Sequence, residues 1–128
     1  MTKPKVLTVG LEPSLINFAD PAYAAFPGMT ADKVMAGLNR DVASLEALGY
    51  DAAMCLVDFG ETAEAVLRAA LTNNAYDCIV IGAGVRLIAQ NTPLFEKLVN
   101  IVHNHAPAAK LCFNTRPDDT ADAVKRWV

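Results

Sequence analysis

The sequence is poor in the residues that usually announce a chemistry. It holds two histidines, one tryptophan and three cysteines in 128 residues. Cys55, Cys78 and Cys112 each lie inside an apolar run, and no two form a CxxC pair. A zinc site needs thiolates and imidazoles at close, regular spacing, so the cysteines read as small buried hydrophobes. His103 and His105 stand two apart, and on a helix such positions point in nearly opposite directions. One ion therefore cannot take both. His105 falls on the apolar stripe of its segment and reads as a hydrogen-bonded core residue. Ser14 lacks the Gly-x-Ser-x-Gly elbow that exposes a nucleophile. There is no P-loop, and Gly82-Ala83-Gly84 lacks the third glycine of a dinucleotide fingerprint. No pattern calls for a metal or a cofactor, and no catalytic residue stands out.

Charge is not concentrated either. The 11 basic and 14 acidic residues are scattered and leave a net charge of −3. A nucleic-acid surface needs a dense cationic footprint, because phosphate contacts dominate that affinity. No stretch approaches the roughly 20 apolar residues that span a bilayer. The basic start, Met1 to Lys5, is followed only by Val6 to Leu11 before Glu12-Pro13. That is shorter than a secretory apolar region of about 7–15 residues. Nucleic-acid and membrane partners are excluded on these grounds, and a cytoplasmic location is expected.

What is present is material for a folded core. Hydrophobic residues make up 53% and charged residues 20%, a composition foreign to disordered chains. The length corresponds to one domain over 1–128, against roughly 100–200 residues per domain. Four short apolar runs read as buried strands: Lys5–Gly10, Ala52–Val57, Asp77–Gly82 and Lys110–Asn114. Nearly continuous apolar character marks strands covered on both faces, as in a parallel sheet. Helical periods separate them. Thr30 caps the first, which carries Val34, Leu38, Val42, Leu45 and Leu48 on one face and stops at Gly49. The second runs from about Thr62 to Asn73, with Ala63, Val66, Leu67 and Ala70 inward. The third starts at Thr92 as N-cap with Pro93 following, and closes at Pro107. The last spans about Asp119 to Val128. Alternation of this kind predicts parallel strands joined by right-handed crossovers: a three-layer α/β sandwich with a four-stranded sheet in the order 2-1-3-4.

One connection is too long for a plain loop. Leu11 to Met29 carries Pro13, Pro21, Pro27 and Gly28, yet also Leu15, Ile16, Phe18, Tyr23 and Phe26. Loops beyond about 12–15 residues are usually functional or disordered, and disorder has no use for these apolar residues. The stretch reads as an ordered flap over the C-terminal edge of the first strand, or as a structural excursion packed on the sheet or a second subunit.

In open α/β sheets ligands bind at the carboxyl ends of the strands, where the strand order switches. Here that lies between the first and third strands. Glu12 and Ser14 follow the first strand. Gly82, Gly84 and Arg86 follow the third, where glycines let successive N–H groups converge on an anion and Arg86 clamps it bidentately. Asn114, Thr115 and Arg116 follow the fourth; Asn114 and Thr115 either orient a ligand or satisfy loop backbone. Asp58 is a base, a metal ligand or, preferably, an N-cap with Glu61 completing a capping box. Asp41 falls inside the apolar stripe of the first helix, at its rim or paired with a residue such as Arg68. Phe95 and Val99 broaden the third helix's apolar arc, to cover the sheet or to bind a second copy.

With four βα units, the chain resembles the flavodoxin-like group, including receiver domains of response regulators. The resemblance is one of architecture over the whole chain. Gly10-Leu11-Glu12 and Gly82-Ala83-Gly84 stand where a receiver has its acidic pair and phosphorylatable Asp. Leu11-Glu12-Pro13-Ser14 stands where a flavodoxin has its phosphate loop. The stretches VIGAGVR and CFNTRPDDTADAVKRW also look like small bacterial proteins of unknown activity, a likeness that transfers no site residues. The expectation is a site for a small anionic metabolite at the C-terminal sheet edge. The alternative is a receiver-like, non-catalytic interaction or dimerisation module.

Overall fold

The four apolar runs become strands β1 (Lys5–Leu11), β2 (Asp51–Val57), β3 (Cys78–Ile81) and β4 (Lys110–Cys112) in the computed structural model. It describes residues 2–116 and 118–128. The strands pair in parallel in the order β2-β1-β3-β4, the flavodoxin-like order predicted by the alternation. Val6 stands opposite both Ala52 and Cys78, which fixes the register of the central strand. Parallel neighbours need a crossover. Helices α1 (Ala31–Ala47), α2 (Ala63–Asn73) and, after a single turn α3 (Ala83–Arg86), α4 (Thr92–His105) supply them, and α5 (Thr120–Lys125) follows β4. Among the described residues no helix is long and apolar enough to cross a membrane.

Strand side chains alternate between faces, so the sheet carries two cores. Leu7, Val9, Ile79 and Ile81 pack with Leu67, Leu98 and Val102 from α2 and α4. Val6, Cys78, Val80 and Cys112 pack with Leu45 of α1 and Val124 of α5. All three cysteines are buried and free, and the Sγ atoms of Cys78 and Cys112 lie 3.3 Å apart. Burial in apolar surroundings pushes the Cys55 thiol up in pKa.

Local signals set most element ends. The Lys33 amide donates to Thr30 Oγ1 at 3.2 Å, and Gly49 at φ +96° turns the chain out of α1. Other ends differ from the sequence reading. The N-cap of α4 is Asn91, and Thr92 lies within the helix; the Asn91 side chain instead donates to Gly84 O at 3.2 Å. The last turn of α4 is exposed at His103, Asn104 and His105. Its burial stops at Val102 before the helix does, so His105 is a surface residue and not a core one. Val66 is 40% exposed, because Ala63, Leu67 and Leu71 already fill the sheet-facing row of α2. Phe95 and Val99 pack on the larger core, and Phe95 meets Phe113 edge to face at 5.8 Å. The broad arc of α4 thus covers the sheet. Arg68 pairs with Glu64 one turn away, at 2.7 Å, and not with Asp41.

Asp58 is not the predicted N-cap: that position is Thr62, and no capping box forms; Asp58 instead braces the turn that leads into α2. Its carboxylate accepts from the amides of Gly60, Thr62 and Ala63 and from Thr62 Oγ1 at 2.7 Å. Glu61 does not appear among these donors or acceptors. The bond from Thr62 Oγ1 is the largest of the influences that hold the Asp58 carboxyl below its ordinary pKa.

Candidate functional site

The α1/α5 face of the sheet loses bulk toward its carboxyl edge. Along β1, Val6 is followed on this face by Thr8 and Gly10; after β3, Val80 is followed by Gly82. The facing stretch of α1 carries Ala36 and Gly37. Small residues on both sides leave a cavity of about 620 Å³, within the roughly 300–1,000 Å³ of small-molecule sites. It opens where β1 and β3 are neighbours and the strand order switches, the expected place for a ligand.

The roof is the segment after β1. Two 3₁₀ turns, Pro13–Leu15 and Pro21–Tyr23, give it shape, each started by an acidic side chain, Glu12 and Asp20, that accepts from an amide two residues on. Ile16, Phe18, Tyr23, Phe26 and Met29 then face the cavity. Phe18 and Tyr23 meet edge to face at 5.4 Å, an arrangement aromatic rings prefer. Lys33 Nζ of α1 donates to Gly28 O at 2.9 Å and ties the roof to the wall. Burial raises the Tyr23 phenol's pKa, and the nearby Asn91 side chain partly offsets that rise.

Most polar groups of the wall are occupied by one another. Asn114 Nδ2 donates to Thr120 Oγ1 at 3.2 Å, and that hydroxyl donates to Asp41 Oδ2 at 3.1 Å. Thr115 and Arg116 wrap round Asp119, whose carboxylate accepts from both amides, at 2.9 and 3.1 Å, and from Thr115 Oγ1. Burial pushes the Asp119 carboxyl up in pKa, but these bonds outweigh it and leave it lowered. No buried side-chain polar atom among the described residues lacks a partner.

The predicted site residues divide. Gly82, Gly84, Asn114, Thr115 and Arg116 line the cavity. Glu12 and Ser14 do not; the Ser14 hydroxyl donates to Glu12 Oε1 at 3.0 Å, and both serve the roof turn. Arg86 points elsewhere. Its Nε donates to Ile81 O at 2.8 Å, its Nη2 to Asn114 O and Asn114 Oδ1, and its guanidinium lies 5.2 Å from the Phe113 ring centre. Arg86 therefore tethers the ends of β3 and β4 instead of clamping a ligand. Burial lowers its pKa without bringing an arginine near neutrality. The glycine stretch is no anion nest either: Gly82 has φ −68° and neither Gly82 nor Gly84 has a positive φ. The amides of Val85 and Arg86 already bond to Gly82 O.

Sequence reasoning missed Thr8, Lys33, Arg40 and Thr120 as cavity residues and placed Asp41 without a role. The signal in the sequence was Asp41, an acid inside the apolar stripe of α1. Val34 and Leu38 are only half-buried because they face the cavity and not a packed core. No family model matches the sequence, and no curated protein matches it.

Proposed function

We propose that the chain binds a small organic anion with a sizeable apolar body in this cavity. The observation that carries the reading is the cavity itself: about 620 Å³, at the switch point, apolar in its floor and roof, with Arg40 and Arg116 at its border. An apolar chamber with a few placed polar groups is the general form of a small-molecule site. The Arg40 guanidinium makes no hydrogen bond or ion pair among the described residues, and the Arg116 guanidinium commits only its Nε, to Asp118 at 2.6 Å. Guanidinium groups suit carboxylate or phosphate. A cytoplasmic setting fits the three free thiols, since reducing compartments keep cysteines unpaired.

Gly37→Leu tests the reading with effects of opposite sign. A Cβ there meets only Arg40 Nη2, at 3.6 Å, the far end of a flexible side chain. The leucine fills the cavity and removes a mid-helix glycine, a gain of about 0.5–1 kcal/mol from the backbone alone. Stability by urea unfolding is expected to hold or rise. Calorimetric binding of 3-phenylpropanoate, a simple apolar anion, is expected to vanish. Arg40→Ala with Arg116→Ala is expected to weaken it at least about tenfold, as for loss of a charge-assisted contact. A wild-type chain that binds neither this probe nor any of its ring-hydroxy or 2-amino derivatives, or a Gly37→Leu chain that binds as well as wild type, overturns the reading.

A further inference from the structure

Among the described residues, one carboxylate oxygen in the wall of the cavity is left without a hydrogen-bond donor. Thr8 donates to Ala53 O. Asn114 is held by Arg86 and Thr120, and Thr115 by Asp119. Asp41 differs. Its Oδ2 accepts from Thr120, and among the described residues no donor reaches its Oδ1. The side chain is half-buried, on a stripe otherwise made of Val34, Leu38, Val42 and Leu45.

We propose that Asp41 is the specificity-determining residue of this site, receiving on Oδ1 an O–H or N–H of the ligand. The preferred ligand is then an organic acid whose apolar body carries a hydroxyl or amino group, its acid group facing Arg40 and Arg116. The inference rests on the binding reading above and names the ligand class within it. The physical reason is desolvation. A ligand that fills an apolar chamber strips water from the carboxylate, and a donor restores the lost bond as a charge-assisted one. A ligand without the donor leaves the carboxylate unpaired, and sites built this way reject such analogues strongly. Burial already raises the Asp41 pKa; Thr120 and Arg40 oppose that shift, and Asp118 and Asp119 reinforce it.

The test is calorimetric titration of the full chain with five probes. They are 3-phenylpropanoate, its three ring-monohydroxy isomers, and 2-amino-3-phenylpropanoate. At least one donor-bearing probe is expected to bind about tenfold or more tighter than the parent, as one hydrogen bond to a charged group allows. In Asp41→Ala that ratio is expected to collapse toward one, with the parent binding tighter than to wild type. The isosteric Asp41→Asn reads the same effect if the alanine chain does not fold, with the ratio falling at least about threefold. Equal binding of parent and all four substituted probes to wild type overturns the inference and leaves the binding reading standing. A ratio unchanged in both variants does the same. Binding by none of the five overturns both.

Discussion

Arg86 and Arg116 leave the same sheet edge and look alike in the sequence, yet they do different work. Arg86 holds three acceptors on two strand ends and lies near the Phe113 ring. Arg116 is exposed, with one surface ion pair. Removing Arg86 leaves the carbonyl oxygens of Ile81 and Asn114 without those bonds, and Arg86→Ala is expected to cost about 1–3 kcal/mol. Arg86→Lys is not expected to restore it, since an ammonium cannot reproduce the fork. Arg116→Ala is expected to change stability by less than about 0.5 kcal/mol, the usual worth of exposed pairs. Urea unfolding of the three variants checks all of this; equal losses for Arg86→Ala and Arg116→Ala would show that the tether is not structural. The sequence placed both arginines at the right edge. It could not show that the Arg86 side chain turns toward Ile81 O and Asn114, because that direction depends on α3, a single turn with no periodicity to read. Asp41 was visible as an acid in an apolar stripe, but its partner, Thr120, lies 79 positions away.

At the scale of elements, Asp58 holds the start of α2 by accepting from three amides and a hydroxyl. Its folded pKa is depressed. A depressed carboxylate contributes stability that is present above its unfolded pKa of about 3.9 and is lost as pH falls through the folded value. Wild type is therefore expected to lose this contribution below about pH 4, while Asp58→Asn, which keeps an acceptor oxygen but no charge, loses less. The two urea midpoints should converge as pH falls. Midpoints that stay parallel would deny Asp58 any such part in acid stability. Caps and stops of this kind made the long helices legible: Thr30 and Gly49 bracket α1 as their chemistry requires. Ends set by tertiary contact were not legible. Asn91 displaced Thr92 as cap while its side chain served α3, and the buried face of α4 stopped short of His105.

For the whole molecule, the layer order and strand order followed from alternation alone, because parallel strands admit few right-handed arrangements. The cavity did not. It arises from bulk missing at Gly10, Gly82 and Gly37 on elements far apart in sequence, and a one-dimensional pattern does not show which small residues face each other. The aromatic content of the flap did mark it as ordered. Its backbone is held by short 3₁₀ turns and few long-range bonds, in contrast to β1, which is paired on both sides. Amides of residues 12–29 are expected to exchange hydrogen faster than those of β1 and β3, and to slow when 3-phenylpropanoate saturates the cavity. Protection that is already equal to that of the strands, or unmoved by saturating probe, would show a fixed wall and not a responsive cover.

The roof of the cavity lies within the first crossover, between Leu11 and Asp51, which must exist anyway to bring β2 parallel to β1. Each doubling of a flexible loop adds only about 0.6 kcal/mol of closure entropy. Changes in the length of this segment therefore cost the sheet little closure entropy. The fold separates a part that must stay constant from one that can be rewritten, and descendants of one scaffold can diverge in what they enclose by changing a single uninterrupted stretch of chain.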